Sequence, residues 1–112
     1  MRCERLDVWK RACRLSVNIY KNFAMCKDYG FKDQITRSSL SIGSNIAEGM
    51  EKDSVKEKNR FINVAQGSTA ELITQIYIGI EIDYIEKRVW MAWFKEANEL
   101  LKMLNALKKN YA

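Results

Sequence analysis

The sequence contains no histidine and no proline. Histidine is the commonest metal ligand and a frequent general base, so its absence argues against a zinc site, a Ser-His-Asp triad and a Glu-x-x-His di-iron site. Proline commonly marks turns and breaks helix interiors. A chain without it therefore favours helices, and we expect neither a metal nor a cofactor.

Cysteine and long apolar runs are also scarce. The three cysteines, Cys3, Cys13 and Cys26, form an odd set without zinc-type spacing. They fit a reduced, cytoplasmic setting better than a disulfide framework. No apolar run approaches the roughly 18 residues of a membrane span. The N-terminal segment MRCERLDVWKR lacks the apolar core of a signal peptide. We therefore expect a cytoplasmic protein without a membrane span.

The chain has 112 residues, of which 47% are hydrophobic, and we expect a single domain over residues 1–112. Its formal net charge of +5 is unevenly distributed. Residues 1–27 carry seven basic and two acidic side chains, and residues 86–112 carry six and three. A basic excess in the first and last segments indicates an anionic partner such as RNA or DNA. An ordinary solvated surface explains the same charges equally well.

Four segments show the apolar periodicity of amphipathic helices. Asp7 is the expected N-cap of the first. Before the second, Asp28 can act as a cap and Gly30 loosens the chain. Ser54 and Glu57 form a predicted capping box before the third. The helices are placed at residues 7–26, 31–48, 55–82 and 86–108. The predicted fold class is all-α, an antiparallel four-helix bundle.

The third predicted helix carries two apolar faces about 100° apart at the helical repeat of 3.6 residues. One face suffices for packing inside a four-helix bundle. The second would be an exposed stripe of the kind that marks interfaces. We therefore predict self-association through Ile62, Ile73, Ile76 and Ile80. The alternative is a helix that is buried on two sides within one bundle.

A glycine-punctuated segment, SIGSNIAEG at residues 41–49, lies in the second predicted helix. Asn45 and Glu48 are neighbours on the helix surface, beside the apolar residues of the same segment. Burying an amide or a carboxylate is costly unless it is paired. The segment therefore predicts a specific polar contact inside the bundle. Gly43 predicts a bend or a close backbone contact, and Gly49 a left-handed helix end.

Three long segments, LDVWKRACRLSVNIY, DYGFKDQITRSSLSIGSNIAEG and RFINVAQGSTAEL, carry a further signal. They resemble a family of small four-helix-bundle proteins first noticed as products of intervening sequences in bacterial 23S rRNA genes. The middle segment follows the family pattern Gln-Ile-x-Arg-(small)-(small)-x-Ser-Ile-Pro-Ser-Asn-Ile-Ala-Glu-Gly from Gln34 to Gly49. Gly43 stands where the family usually has proline. Because both residues loosen a helix, we expect a bend there to survive.

The resemblance implies a four-helix bundle that assembles into a ring-like homopentamer without an established enzymatic activity. It also relates the chain to the accessory protein of the reverse transcriptase in diversity-generating retroelements. That relative is a basic pentamer that binds nucleic acid and the transcriptase. The resemblance thus implies self-association, with RNA, DNA or a protein as further partners.

The charged residues inside the matched segments allow two interpretations. One is a catalytic carboxylate pair, Glu48 with Glu71, whose pKa values would have to be pushed apart. The other is a structural network of these two with Arg37, Arg60 and Asn45, which would set the register of the helices. The sequence has no histidine, nucleophile motif or phosphate loop that would complete an active site. We therefore favour the structural network and predict a protein without catalysis.

Lys10, Arg14 and Lys21 lie within about 40° of one another on the first helix, with Arg11 beside them. One interpretation is a stripe that contacts phosphates, which gives affinity with little sequence specificity. The alternative is an ordinary solvated face. We predict a non-catalytic, oligomeric protein that binds structured RNA or DNA through these four residues. The alternative function is a structural adaptor that docks a protein partner, for example a reverse transcriptase, without binding nucleic acid itself.

Overall fold

The computed structural model describes residues 1–111, and no strand occurs among them. Its elements are a short 3-10 helix (Arg2–Arg5), α1 (Asp7–Asn22), α2 (Tyr29–Met50), α3 (Val55–Glu81) and α4 (Lys87–Lys109). The all-α prediction with four helices is confirmed. Asp7 is the first residue of α1 rather than its cap, and Leu6 occupies the N-cap position without a side-chain hydrogen bond.

The starts of α2 and α3 are capped at the residues that the sequence indicated. The Asp28 carboxylate accepts a hydrogen bond from Phe31 N (3.1 Å), and Ser54 Oγ accepts one from Glu57 N (3.0 Å). The second hydrogen bond of the predicted capping box, from the Ser54 backbone amide to the Glu57 carboxylate, does not form within residues 1–111. The Glu57 carboxylate instead accepts a hydrogen bond from Arg60 Nε one turn along α3 (2.8 Å). The Arg60 guanidinium, rather than the Ser54 amide, is therefore the partner of the Glu57 carboxylate.

At one end of the bundle, the start of the chain meets the α2–α3 turn and the end of α4. The Arg2 guanidinium donates to Met50 O and to the Asp53 carboxylate, each at 3.2 Å. Asn59, in the second turn of α3, donates from Nδ2 to Tyr111 O (3.2 Å). Tyr111 also donates from Oη to Met50 Sδ (3.6 Å). The beginnings of α1 and α3 therefore lie beside the ends of α2 and α4.

At the opposite end of the bundle, aromatic side chains bring the end of α1 and the start of α2 together with the α3–α4 turn and the start of α4. The ring of Phe23, just after α1, packs against Phe31 of α2 (centroids 5.7 Å apart) and Trp93 of α4 (6.1 Å). Tyr84, in the α3–α4 turn, meets Phe31 edge-on and donates from Oη to the Asp28 carboxylate (2.8 Å). Successive helices therefore run antiparallel, in the up-down-up-down order of a four-helix bundle.

The core lies along the bundle axis and is formed by apolar side chains from all four helices. Its completely buried members include Ile19, Ile35, Ile42, Ile46, Ile62, Leu72, Ile76, Leu100 and Leu104. The predicted interface stripe of α3 is therefore wrong for Ile62 and Ile76, while Ile73 and Ile80 are half-buried at its edge. The reason is that α3 packs against both α2 and α4, so both of its apolar faces are used within one bundle.

Two glycines of α2 lie where another helix comes close. A Cβ on Gly43 would lie 3.3 Å from Cys13 Sγ, and a Cβ on Gly49 would lie 2.9 Å from Phe61 Cβ. Gly43 thus has the close contact that the sequence predicted, inside a continuous helix. The predicted left-handed end at Gly49 is wrong, because no glycine in residues 1–111 has a positive φ and α2 continues to Met50. Gly49 serves the close approach of α3 instead.

Candidate nucleic-acid interface

Lys10, Arg14 and Lys21 are exposed along the outer flank of α1. The helical repeat places them there. The apolar arc of α1 packs against α2 and α4 and includes the buried Leu15, so these three residues lie on the other side of the helix. None of the three enters an ion pair within residues 1–111. Asp7 is the one acidic residue in the sequence of α1. We call these three residues the basic stripe; it is a rigid row of cations with little opposing charge on its own helix.

Arg11 lies outside the basic stripe and binds α4 instead. Its guanidinium donates from Nε to Glu96 Oε2 (2.9 Å) and from a terminal nitrogen to Oε1 (2.5 Å). This paired geometry holds both side chains in one orientation. The hydrogen bond from Arg11 is the main reason why the pKa of Glu96 is lowered, and the same contact raises the pKa of Arg11. Arg11 is therefore committed to joining the first and last helices.

An apolar groove of about 620 Å³ runs between α1 and α2 beside the basic stripe. We call it the α1–α2 groove; its apolar lining includes Trp9, Cys13, Val17, Tyr20, Leu40 and Ala47. Val17, Tyr20 and Leu40 are 49%, 43% and 51% exposed, so a contiguous apolar surface faces solvent. Lys21 also lines the groove, which places one cation of the stripe at its margin. The groove therefore exposes apolar side chains to solvent next to the basic stripe.

The predicted polar network of α2 and α3 does not form within residues 1–111. Its members were Arg37, Asn45, Glu48, Arg60 and Glu71. Arg37 donates to Asp33 one turn back (3.1 Å), and Arg60 pairs with Glu57. Glu48 and Glu71 are exposed and take part in none of the ion pairs. Both arginines instead pair with carboxylates four or three residues away on their own helices, which are their neighbours on the helix surface.

Within residues 1–111, hydroxyl groups make the side chain-to-side chain hydrogen bonds that join α2 to α1 and to α3. Ser16 Oγ of α1 lies 3.0 Å from Ser39 Oγ of α2, and Ser68 Oγ of α3 donates to Ser41 Oγ of α2 (2.9 Å). The Asn45 amide stays on α2 and donates to Ser41 O (2.8 Å). The serines at positions 39 and 41 were the sequence signal for these contacts. Such neutral pairs satisfy buried hydroxyls where helices cross, and they supply no acid–base chemistry.

A metal site, a membrane span and a reactive thiol are three further features to consider in the part of the chain that the structure describes. Within residues 1–111, no group of three or more cysteine, aspartate or glutamate side chains is placed to hold a metal ion. No helix in that range is long and apolar enough to cross a membrane. Burial raises the pKa of the Cys3 and Cys13 thiols, which keeps both in the uncharged form at neutral pH.

Comparison with known proteins agrees with this architecture. The fold is similar to the crystal structure of a protein with unknown function from the S23 ribosomal protein family of Bacteroides thetaiotaomicron, with a TM-score of 0.85. That protein is 25% identical, and the alignment covers 91% of this chain and 98% of the other. No curated protein matches the chain significantly. The family model of 23S rRNA-intervening sequence proteins matches residues 4–106, from the 3-10 helix into α4. The chain therefore belongs to the family of 23S rRNA-intervening sequence proteins, as its three motif segments indicated.

Proposed function

We propose that this protein is a non-catalytic binder of structured RNA or DNA, and that the basic stripe of α1 makes the contact. The observation that carries the proposal is the row of Lys10, Arg14 and Lys21, exposed on one flank and outside the ion pairs of residues 1–111. From Lys10 to Lys21 the row is about 16 Å long at the helical rise. One strand of a duplex carries a charge every 3.4 Å or so, and the row therefore spans several phosphates.

Contacts of this kind are made to phosphate oxygens and contain no base-edge readout. We therefore expect similar affinity for RNA and DNA of similar shape, and affinity that falls steeply with salt. The family name refers to 23S rRNA, which makes fragments of that RNA a reasonable first probe. A contact through three cations of one protomer is weak by itself, and repetition of the stripe in an oligomer would strengthen it through avidity.

The oligomer is part of the proposal. The family resemblance supports a ring-like homopentamer, in which five stripes would be presented together. The three free cysteines support a cytoplasmic location, where nucleic acid is accessible. The second candidate function, a structural adaptor that docks a protein partner, draws its support from the exposed apolar α1–α2 groove.

The test is a mobility-shift titration with a 23S rRNA fragment and a DNA of equal length over a series of salt concentrations. The variant is Lys10→Gln/Arg14→Gln/Lys21→Gln, because glutamine is nearly as good a helix former as lysine or arginine. We expect weaker binding to both probes and a salt slope lowered by about 1 for each phosphate that the variant no longer neutralises. The matched control removes three exposed lysines elsewhere, Lys56, Lys87 and Lys102, and should retain most of the affinity.

Two outcomes would contradict the proposal. If the stripe variant keeps its fold and binds with wild-type affinity and salt slope, the contact lies elsewhere on the molecule. If the wild type shows no salt-sensitive binding to either probe, the adaptor that docks a protein partner becomes the better function.

A further inference from the structure

The basic stripe leaves the neighbouring α1–α2 groove unexplained. Phosphates bind the cations of the stripe, but a charged backbone gains nothing from the apolar walls formed by Trp9, Val17 and Leu40. The groove also continues for about 16 Å between Trp9 and Tyr20, or three helical turns. Its shape and chemistry fit the apolar face of a helix that lies between α1 and α2.

A helix face with matching properties exists on the same chain. The outward side of α3 presents six exposed residues that share one face of the helix. We call it the α3 outer face: Val64, Gly67, Ala70, Thr74, Tyr77 and Ile78. Tyr77 and Ile78 are 55% and 43% exposed. No side chain or backbone atom outside the helix lies within 4 Å of the position that a Cβ on Gly67 would occupy. The small residues at the centre of the face allow another helix pair to approach closely.

The charges of the two surfaces are of opposite sign. Between residues 61 and 82 the sequence contains no basic residue, and its two charges are Glu71 and Glu81. Both glutamates are exposed and lie on the outward side of α3. The groove, by contrast, is lined by the cation Lys21 and, among the residues that the structure describes, by no acidic residue. Opposite charges at the margins of an apolar contact select the partner and its orientation.

We propose that the α3 outer face of one copy docks into the α1–α2 groove of a second copy. The proposal rests on the oligomeric part of the proposed function and assigns its contact surfaces. In the bundle, α1 and α3 each pack against α2 and α4 rather than against each other, so the groove and the face lie on different sides of the protomer. The contact is therefore head-to-tail, the geometry that generates closed rings or open filaments rather than two-fold dimers.

Two variants separate the surfaces. The groove variant is Val17→Glu/Leu40→Glu, and the face variant is Ala70→Glu/Ile78→Glu. All four positions are exposed on helices, and glutamate is a good helix former, so each protomer should fold. Circular dichroism and thermal melts check this directly. Glutamate is used in both variants so that, when the variants are mixed, the altered groove of one and the altered face of the other repel each other.

Light scattering coupled to size exclusion gives the decisive measurement. We expect the wild type to be an oligomer and each variant alone to have the mass of one protomer. An equimolar mixture of the two variants retains one intact groove and one intact face, so it should have the mass of two protomers. A wild-type monomer at micromolar concentration would overturn the proposal. So would a folded variant that still assembles by itself, or a mixture that stays monomeric.

Failure of this proposal is distinguishable from failure of nucleic-acid binding. The variant Lys10→Gln/Arg14→Gln leaves the groove lining unchanged and should assemble like the wild type while binding RNA more weakly. The monomeric face variant, whose substitutions on α3 lie away from the basic stripe, should bind RNA with lower apparent affinity because avidity is absent, while keeping the residual binding sensitive to changes in the basic stripe. A protein that assembles but does not bind RNA would contradict the proposed nucleic-acid binding and leave the docking proposal standing.

Discussion

Arg11 of α1 and Glu96 of α4 form a two-point hydrogen-bonded ion pair that connects the first helix of the chain to the last. The packing between α1 and α4 is less extensive than that between the other neighbouring helices. The pair therefore closes the bundle at its least extensive helix contact. Both side chains are partly exposed, which limits the contribution to about 1 kcal/mol or less.

The Arg11–Glu96 pair should make stability depend on acid pH. The pKa of Glu96 is lowered from its ordinary value of 4.5, so the contribution is complete above that value and is lost as the pH falls through the folded-state pKa. In urea unfolding, Glu96→Gln should be less stable than the wild type at pH 7 and nearly equal to it at pH 3. Glu86→Gln, at an exposed position outside the pair, is the control. An equal loss at both pH values would contradict this role of the pair.

Gly49→Ala should destabilise the protein by about 1–3 kcal/mol, the usual cost of inserting a methyl group into a packed contact. The added Cβ would lie 2.9 Å from Phe61 Cβ and 3.3 Å from Lys58 O, and neither atom is the end of a flexible side chain. Gly67→Ala is the matched control, since its Cβ meets nothing within 4 Å. There, alanine should stabilise α3 by about 0.5–1 kcal/mol. Both changes are best measured by chemical unfolding of the monomeric groove variant, so that assembly does not contribute.

Asp83→Gly should stabilise the α3–α4 turn. Asp83 has a φ of 63°, which is the left-handed conformation that ends α3, and Tyr84 N donates back to Gly79 O (2.8 Å). A non-glycine residue held there costs on the order of 1 kcal/mol, which glycine avoids. The melting temperature should therefore rise for Asp83→Gly and fall for Asp83→Val, whose branched side chain disfavours positive φ. A lower melting temperature for the glycine variant would show that the aspartate side chain itself stabilises the turn.

Replacing Ser39 should destabilise the protein more than replacing Glu48, a member of the structural polar network predicted from the sequence. Glu48→Ala should change stability by no more than about 0.5 kcal/mol, because an exposed carboxylate outside any ion pair contributes little. Ser39→Ala should cost about 1 kcal/mol, since it removes the buried partner of Ser16 and the hydrogen bond to Thr36 O (2.8 Å). Thermal melts of both variants give the comparison. A large loss of stability for Glu48→Ala would indicate that the residue becomes buried in the oligomer.

The local features of this chain were predictable because their causes are local. The caps at Asp28 and Ser54 depend on a side chain reaching a backbone amide three residues on, and both are observed. The close contact at Gly43 followed from a glycine in a helix interior. The basic stripe on α1 followed from helical periodicity, which holds wherever the helix forms.

The predicted polar network was wrong because the sequence does not specify the rotation of each helix about its axis. A carboxylate near an isoleucine on the helix surface lies close to the core only if the apolar arc is centred near it. In α2 the arc is centred so that Ile42 and Ile46 are buried and Glu48 faces solvent. Arg37 then pairs with the nearer carboxylate of Asp33 on its own helix.

By itself, the sequence determined the all-α class, the four helices and the family, because periodicity, capping and motif matching need no knowledge of neighbours. Only the tertiary structure decided which apolar faces remain exposed. Ile62 and Ile76 belong to the core because α3 is covered on two sides, whereas Val17, Leu40, Tyr77 and Ile78 remain in solvent. The physical reason is that burial is a property of pairs of helices. The same apolar stripe is core where a second helix lies against it and an interaction surface where none does.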